Sequence, residues 1–372
     1  MKFDDIQSVR LTVATPTRGA ATRMAGGTRG WQRDIEYVRV SSGGFFGFGE
    51  AAPLQQPDPT NPGNPTTGQL TTSLAATAVA TLQQALPFEL EGPGRAYVLA
   101  NTVAHSAAAR FAIETALLDC WCHNHQVSLA QVLVPNPVAE LSSAAVVDDV
   151  ATALTCVAQG FTTLKLKLTA DAAADLVLAT AIRTAVGDAI QLRGDANQTW
   201  TIAETPRRLR ALAHLNWQFI EEPCVDTYKL VPMDLPIALA LDESLPHIAP
   251  TQLGELLRAR SLWGVVLKPT VLGGLLPTLA MAELVARGGK QAVVTHALEG
   301  PVATAACAEA ARAIASLFEQ PAAAGLGNNP TLAPVGAQWI GEVPQLLSPG
   351  RVRGTSRYGH GFTAPLWPVL LT

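Results

Sequence analysis

Charge is what this chain of 372 residues has least of: Asp, Glu, Lys and Arg make up 15% of it, against 48% hydrophobic residues. So apolar a composition excludes a solvated, disordered polymer and demands a large buried core, much of it alanine in helical segments. The formal net charge is only −4, which leaves no cationic footprint for a nucleic acid. No apolar run approaches the roughly 20 residues that span a bilayer, so a membrane-spanning helix is excluded. The opening residues, MKFDDIQSVR, lack the apolar core of a signal peptide, and the expected compartment is the cytoplasm. Cys120, Cys122, Cys156, Cys224 and Cys307 are an odd, scattered set. Free thiols are expected rather than a disulfide framework. The spacing of Cys120 and Cys122 beside His123 and His125 does not match the usual zinc pairs, and no second pair follows.

What is present follows two grammars. Residues 6–54 alternate apolar and polar positions (Val9, Leu11, Val13, then Ile35, Tyr37, Val38, Val40) and resume at Phe45 after Gly43-Gly44, which predicts a small antiparallel sheet. Between its first two strands, residues 17–32 interleave glycines with Arg18, Arg23 and Arg29, a cationic loop able to fold over an anionic ligand. Five prolines within 53–65 exclude regular structure there and make it a connector. Helical periodicity follows at about 68–86 and 106–121, the second carrying Arg110, Glu114 and Asp119. Together these predict an α+β domain over 1–135.

From about Leu141 short apolar runs alternate with helical stretches. The runs are 143–147, 163–168, 190–195, 217–221, 237–242, 264–268 and 292–296, with 323–327 as an eighth. Such a repeat over 136–330 predicts an α/β fold, a (β/α)8-type barrel. A doubly wound open sheet fits less well, because no phosphate-cradling glycine fingerprint follows the first strands. Residues 331–372 form a C-terminal tail.

The stretch Leu164-Lys165-Leu166-Lys167-Leu168 organises the rest. In an extended strand Lys165 and Lys167 share one face. In a barrel that face is the interior, where like charge and burial both push a lysine toward the neutral form that can act as a base. Asp195, Glu221, Asp242 and Lys268 close the third to sixth runs at spacings of 26, 21 and 26 residues. Each step is one β-α unit, which puts all four on the C-terminal rim, where barrel active sites are built. Three carboxylates without His or Cys describe an oxygen-ligand site suited to Mg2+. Lys167 or Lys268 can then take a proton from the carbon next to a carboxylate while the metal stabilises the enediolate.

These residues resemble the enolase superfamily, in its muconate-lactonising-enzyme subgroup. The matching stretches are Lys165-Leu166-Lys167, Gly194-Asp195-Ala196-Asn197 with Trp200, Ile220-Glu221-Glu222-Pro223, Leu241-Asp242-Glu243-Ser244 and Lys268-Pro269, with Gly49-Glu50-Ala51-Ala52-Pro53-Leu54 and residues 110–117 before them. The resemblance covers nearly the whole chain. It implies a capping domain made by the N-terminal region and the C-terminal tail, and Asp195, Glu221 and Asp242 as Mg2+ ligands with Glu222 and Glu243 as neighbours outside the ligand set. A Lys or His base beside Mg2+ is a known pairing in this superfamily.

Within the subgroup the chain looks most like the o-succinylbenzoate synthase family, through Trp263 and Lys268-Pro269-Thr270, Gly273-Gly274 and Thr295-His296-Ala297-Leu298-Glu299-Gly300. That family dehydrates 2-succinyl-6-hydroxy-2,4-cyclohexadiene-1-carboxylate in menaquinone biosynthesis. By resemblance Lys167 removes the α-proton, Lys268 sits opposite and stabilises the anion, and Lys165 depresses the pKa of Lys167. Asn197, Thr295 and His296 are then contacts for a small-molecule carboxylate. Thr295 and His296 stand where family members commonly carry serine, and Gly300-Pro301 is an unusual continuation. Residues 320–341 contain no Asp or Glu, whereas dipeptide epimerases of the subgroup carry an acidic pair near the eighth strand. Two alternatives stay open: an N-acylamino acid racemase using both lysines as bases, and a non-catalytic metal-binding scaffold protein.

Overall fold

The alternating N-terminal residues form β1 (Asp5–Ala14), β2 (Gln32–Ser42) and β3 (Phe45–Ala51), an antiparallel sheet in that order. The structure is a computed structural model that describes residues 1–14, 32–53, 57–58, 61–65, 74–327, 347–355 and 357–361. All but the last residue of the predicted cationic loop, and the start of the predicted helix at 68–86, lie outside the described residues. The proline-rich connector departs from expectation: β4 (Pro57–Asp58) and β5 (Asn61–Pro65) pair with each other. Proline cannot donate to a ladder, but its carbonyl still accepts, and a two-stranded ribbon is all edge.

Four helices follow: α1 (Leu74–Gln84), α2 (Pro93–Val103), α3 (Ala107–His125) and α4 (Leu129–Leu133). The second, α2, had no periodicity strong enough to predict it. Ser106 caps α3 by accepting from the Ala109 N–H at 3.2 Å, and Gln126, left-handed at φ 58°, ends it. Strand β3 lies directly on α3. A Cβ at Gly47 would sit 2.1 Å from the Ala116 carbonyl oxygen and one at Gly49 1.8 Å from that of Ala112, so only glycine permits the contact.

After β6 (Glu140–Ser142) come seven parallel strands: β7 (Ala145–Val147), β8 (Thr163–Lys167), β9 (Gln191–Asp195), β10 (Trp217–Glu221), β11 (Leu239–Leu241), β12 (Leu262–Leu267) and β13 (Gln291–Val294). They pair in sequence order, with helices between them. The predicted eighth strand is reduced to two single bridges, Ala324 to Ser143 and Gly325 to Thr295. Those bridges join the two edges of the curled sheet. Here closeness decides: a Cβ at Gly325 would lie 2.6 Å from Thr295 Oγ1. The architecture is a (β/α)8-type barrel with an α+β capping domain. Beneath the rim Arg193 is buried, donating to Gln218 Oε1 at 2.7 Å and to the Ala323 carbonyl at 2.8 Å. Its guanidinium lies 5.0 Å from the Phe219 ring centroid. Burial lowers its pKa only to about 10, so it remains a cation that ties β9 to β10 and to the closing segment at Ala323.

Buried carboxylates join cap to barrel. Glu50 of β3 accepts from the N–H groups of Gly300, Val302 and Ala303 at 2.5, 3.1 and 3.1 Å, the start of a helix over Pro301–Ala315. Gly300 and Pro301, unusual as a continuation of the strand, are the cap and first residue of that helix, positions that suit both. Glu114 of α3 likewise accepts from Leu275 and Leu276 N–H, at the start of the helix Leu275–Arg287. In the tail, Arg351–Arg353 pairs with β6. The His360 N–H donates to Asp119 Oδ1 on α3 at 3.0 Å. All five cysteines are free and buried.

Burial pushes the Glu114 carboxyl up from 4.5 to about 8, against the two N–H donors that lower it. Between those values the folded chain keeps a proton that the unfolded chain has released, so this group's contribution to stability falls as pH rises. In thermal melts the Tm advantage of wild type over Glu114→Gln is expected to shrink from about pH 5 to about pH 8. A gap independent of pH would contradict it.

Candidate active site

Alternation along β8 turns Lys165 and Lys167 to the inside, and strand register supplies their partners. Lys167 lies opposite Asp195, and Asp195 opposite Glu221. The Lys165 Nζ lies 2.8 Å from Asp195 Oδ2 and 2.8 Å from Glu221 Oε2. The Lys167 Nζ is 2.5 Å from the same Asp195 oxygen and 2.6 Å from Asn197 Oδ1. Across the ring, Lys268, next after β12, pairs with Asp242, next after β11. The structure thus brings together all six residues predicted for the rim.

Charge in this cluster corrects one expectation. Burial does disfavour the Lys165 ammonium, but Asp195 and Glu221 outweigh it and hold the group above the ordinary lysine value, not below. Against its own burial, Asp195 is held well below the usual carboxylate range by Lys165 and Lys167. Asp242 goes the other way: burial, with Glu243 and Glu221 beside it, pushes its carboxyl up against the pull of Lys268.

Glu222 braces this rim from behind. Its Oε1 accepts from the N–H groups of Asp242 and Ser244, both at 2.8 Å, and its Oε2 from Ser244 Oγ at 2.9 Å and Gln198 Nε2 at 3.2 Å. Asn197, Gln198 and Glu222 are all left-handed, at φ 42°, 61° and 38°, strain of a kind that concentrates at functional sites. Among the predicted substrate contacts, Asn197 lies between Lys167 and Glu243, donating to Glu243 Oε1 at 3.0 Å. Thr295 donates its hydroxyl to the Gly325 carbonyl at 2.8 Å, across the barrel closure. His296 Nδ1 accepts from the Leu298 N–H at 3.3 Å, in a turn where Leu298 has φ 61°. The bracing by Glu222 was missed, though its place beside Glu221 marks an acidic pair.

Among the described residues no three His, Cys, Asp or Glu side chains are gathered as a metal-holding group; each predicted ligand is drawn to a lysine instead. Their chemistry nonetheless fits a hard divalent cation. Asp195, Glu221 and Asp242 are buried, offer only oxygen, stand on adjacent strands and include a carboxyl crowded by its neighbours.

A family model described as "Enolase C-terminal domain-like" matches residues 148–363, and the chain belongs to the enolase superfamily. It is 31% identical over 216 residues to o-succinylbenzoate synthase of Desulfotalea psychrophila, covering 54% of this chain and 58% of that one. Over 159 residues it is 27% identical to N-succinyl-L-Arg/Lys racemase of Bacillus cereus, covering 41% and 42%. The chain thus spans about half the length of these curated relatives. The fold is shared with a substrate-liganded L-Ala-D/L-Glu epimerase from Bacillus subtilis, at TM-score 0.78 and 23% identity over 98% of this chain and 99% of that one. No helix among the described residues is long and apolar enough to cross a membrane.

Proposed function

We propose that this chain is a Mg2+-dependent lyase that dehydrates 2-succinyl-6-hydroxy-2,4-cyclohexadiene-1-carboxylate to o-succinylbenzoate. The observation that carries the reading is the placement of Lys167 and Lys268 on the second and sixth strands, facing each other across the carboxylates of Asp195, Glu221 and Asp242. These three carboxylates would hold Mg2+, which when bound supplies positive charge to a substrate carboxylate as its α-carbon loses a proton.

The chain's own groups do the rest. Lys167 Nζ, deprotonated, takes the α-proton and breaks the C–H bond. It then returns that proton to the β-hydroxyl on the same face, so that the C–O bond breaks and water leaves. Lys268 stays an ammonium on the other face, where its charge offsets the developing anion. Lys165 stays charged beside Asp195 and Glu221. His296 and Thr295 flank the substrate from the seventh strand.

Racemisation of N-acylamino acids is the second reading, favoured by the same lysine pair and by the racemase relative. It needs Lys268 to exchange protons as well. Purified protein with Mg2+ is therefore offered the cyclohexadiene and, separately, both enantiomers of N-succinyl amino acids in deuterium oxide. Loss of the diene without α-deuteration of either enantiomer is the expected result. Deuterium entering from both enantiomers with the diene untouched would replace the lyase by the racemase.

A further inference from the structure

We infer that Glu243 is a positioning residue which ties the two opposed lysines into one unit across the mouth of the barrel, through hydrogen bonds by way of Asn197 to Lys167 and an ion pair to Lys268. Lys167 Nζ donates to Asn197 Oδ1 at 2.6 Å, and Asn197 Nδ2 donates to Glu243 Oε1 at 3.0 Å. The same Oε1 lies 3.8 Å from Lys268 Nζ. An amide suits the middle place: its oxygen accepts from an ammonium while its NH2 donates to a carboxylate. Asn197 is thereby occupied on both sides, as a link between groups from the second, third, fifth and sixth strands.

Each end of the link is fixed by backbone. The Asn197 N–H donates to Asp195 Oδ1 at 3.0 Å and the Gln198 N–H to the Glu222 carbonyl at 2.7 Å, which holds two consecutive left-handed residues. On the other side, Glu222 Oε1 clasps the N–H groups of Asp242 and Ser244, the residues flanking Glu243. Glu243 Oε2 is buried without a hydrogen-bond partner, so Oε1 alone anchors this carboxylate. A lysine has four rotatable bonds and wanders unless held. Reaction at an α-carbon flanked by two lysines needs both Nζ atoms in register with it.

This inference rests on the proposed lysine chemistry for its kinetic consequence, but its structural core can be tested without turnover. In protein labelled with 15N-lysine and free of metal, Glu243→Gln is expected to shift the Nζ resonances of Lys268 and Lys167 and to leave that of Lys165 in place. Asn197→Ala is expected to shift Lys167, with no further change in that resonance when Glu243→Gln is added. A shift of Lys268 alone, or of neither lysine, in folded Glu243→Gln overturns the link. In turnover with whichever substrate is accepted, Glu243→Gln is expected to lower kcat by about 10- to 100-fold, with KM and the Mg2+ Kd within about threefold and partial recovery in Glu243→Asp. A Mg2+ Kd that rises as far as kcat falls would make Glu243 a metal ligand instead. If wild type turns over neither substrate, the functional reading fails while the resonances still decide the link.

Discussion

Lys167→Ala is expected to lower kcat by roughly 10³-fold, the usual worth of a positioned general base, while the protein folds and binds Mg2+ as before. The expectation follows from placement. Lys167 is the member of the lysine pair on β8 that reaches outward to Asn197, whereas Lys165, two residues earlier, is enclosed between Asp195 and Glu221. Lys268→Ala separates the two readings of the site. In a dehydration that uses one base it removes only an electrostatic contribution and should cost about 10²-fold, with proton exchange at the Lys167 face retained. In a racemase it should abolish exchange from one enantiomer. Steady-state kinetics with calorimetric titration of Mg2+ checks both, and a Lys167→Ala enzyme keeping a tenth of wild-type kcat would remove Lys167 from the role of base.

Removal of Mg2+ is expected to have an effect at least as large. Chelation should reduce turnover by about 10³-fold or more, the equivalent of the several kcal/mol a Lewis acid supplies, and added Mg2+ should restore it. Glu221→Gln should weaken Mg2+ binding on the order of 100-fold. The predicted ligand set would lose one of three carboxylates, and Lys165 one of its two partners. Because a ligand that binds the folded state raises its melting temperature, Mg2+ should also raise the Tm of wild type, with little rise in Glu221→Gln. Full activity in excess chelator would show that the carboxylates serve only the lysines.

The rim of the site was legible because two simple periods set it. Strand alternation turns Lys165 and Lys167 to one side, and the β-α repeat brings Asp195, Glu221, Asp242 and Lys268 to one level. Neither period says which carboxylate meets which ammonium, and for that reason the push toward neutrality expected of a lysine on this face does not hold for Lys165. Strand register decides it, by setting Lys167 opposite Asp195 and Asp195 opposite Glu221. The Asn197–Glu243 contact lay further out of reach, since it depends on left-handed backbone at Asn197 and Gln198, just past the third run, which no sequence period marks. Closure of the barrel at Ala324 and Gly325 falls inside the predicted eighth run, 323–327, but as two single bridges between small residues rather than a full strand. The helix beginning at Pro301 shows the opposite case: Gly-Pro looked like an interruption and is a start.

The acids that Glu50 and Glu114 place against the barrel helices also bear on the order in which the chain is made. Their partners lie 250 residues on at Gly300 and 161 residues on at Leu275. Until the chain has been made as far as Ala303, neither carboxylate can meet the N–H groups it accepts from in the finished fold, so the seam between cap and barrel is built from contacts of long sequence separation, the kind that slows folding.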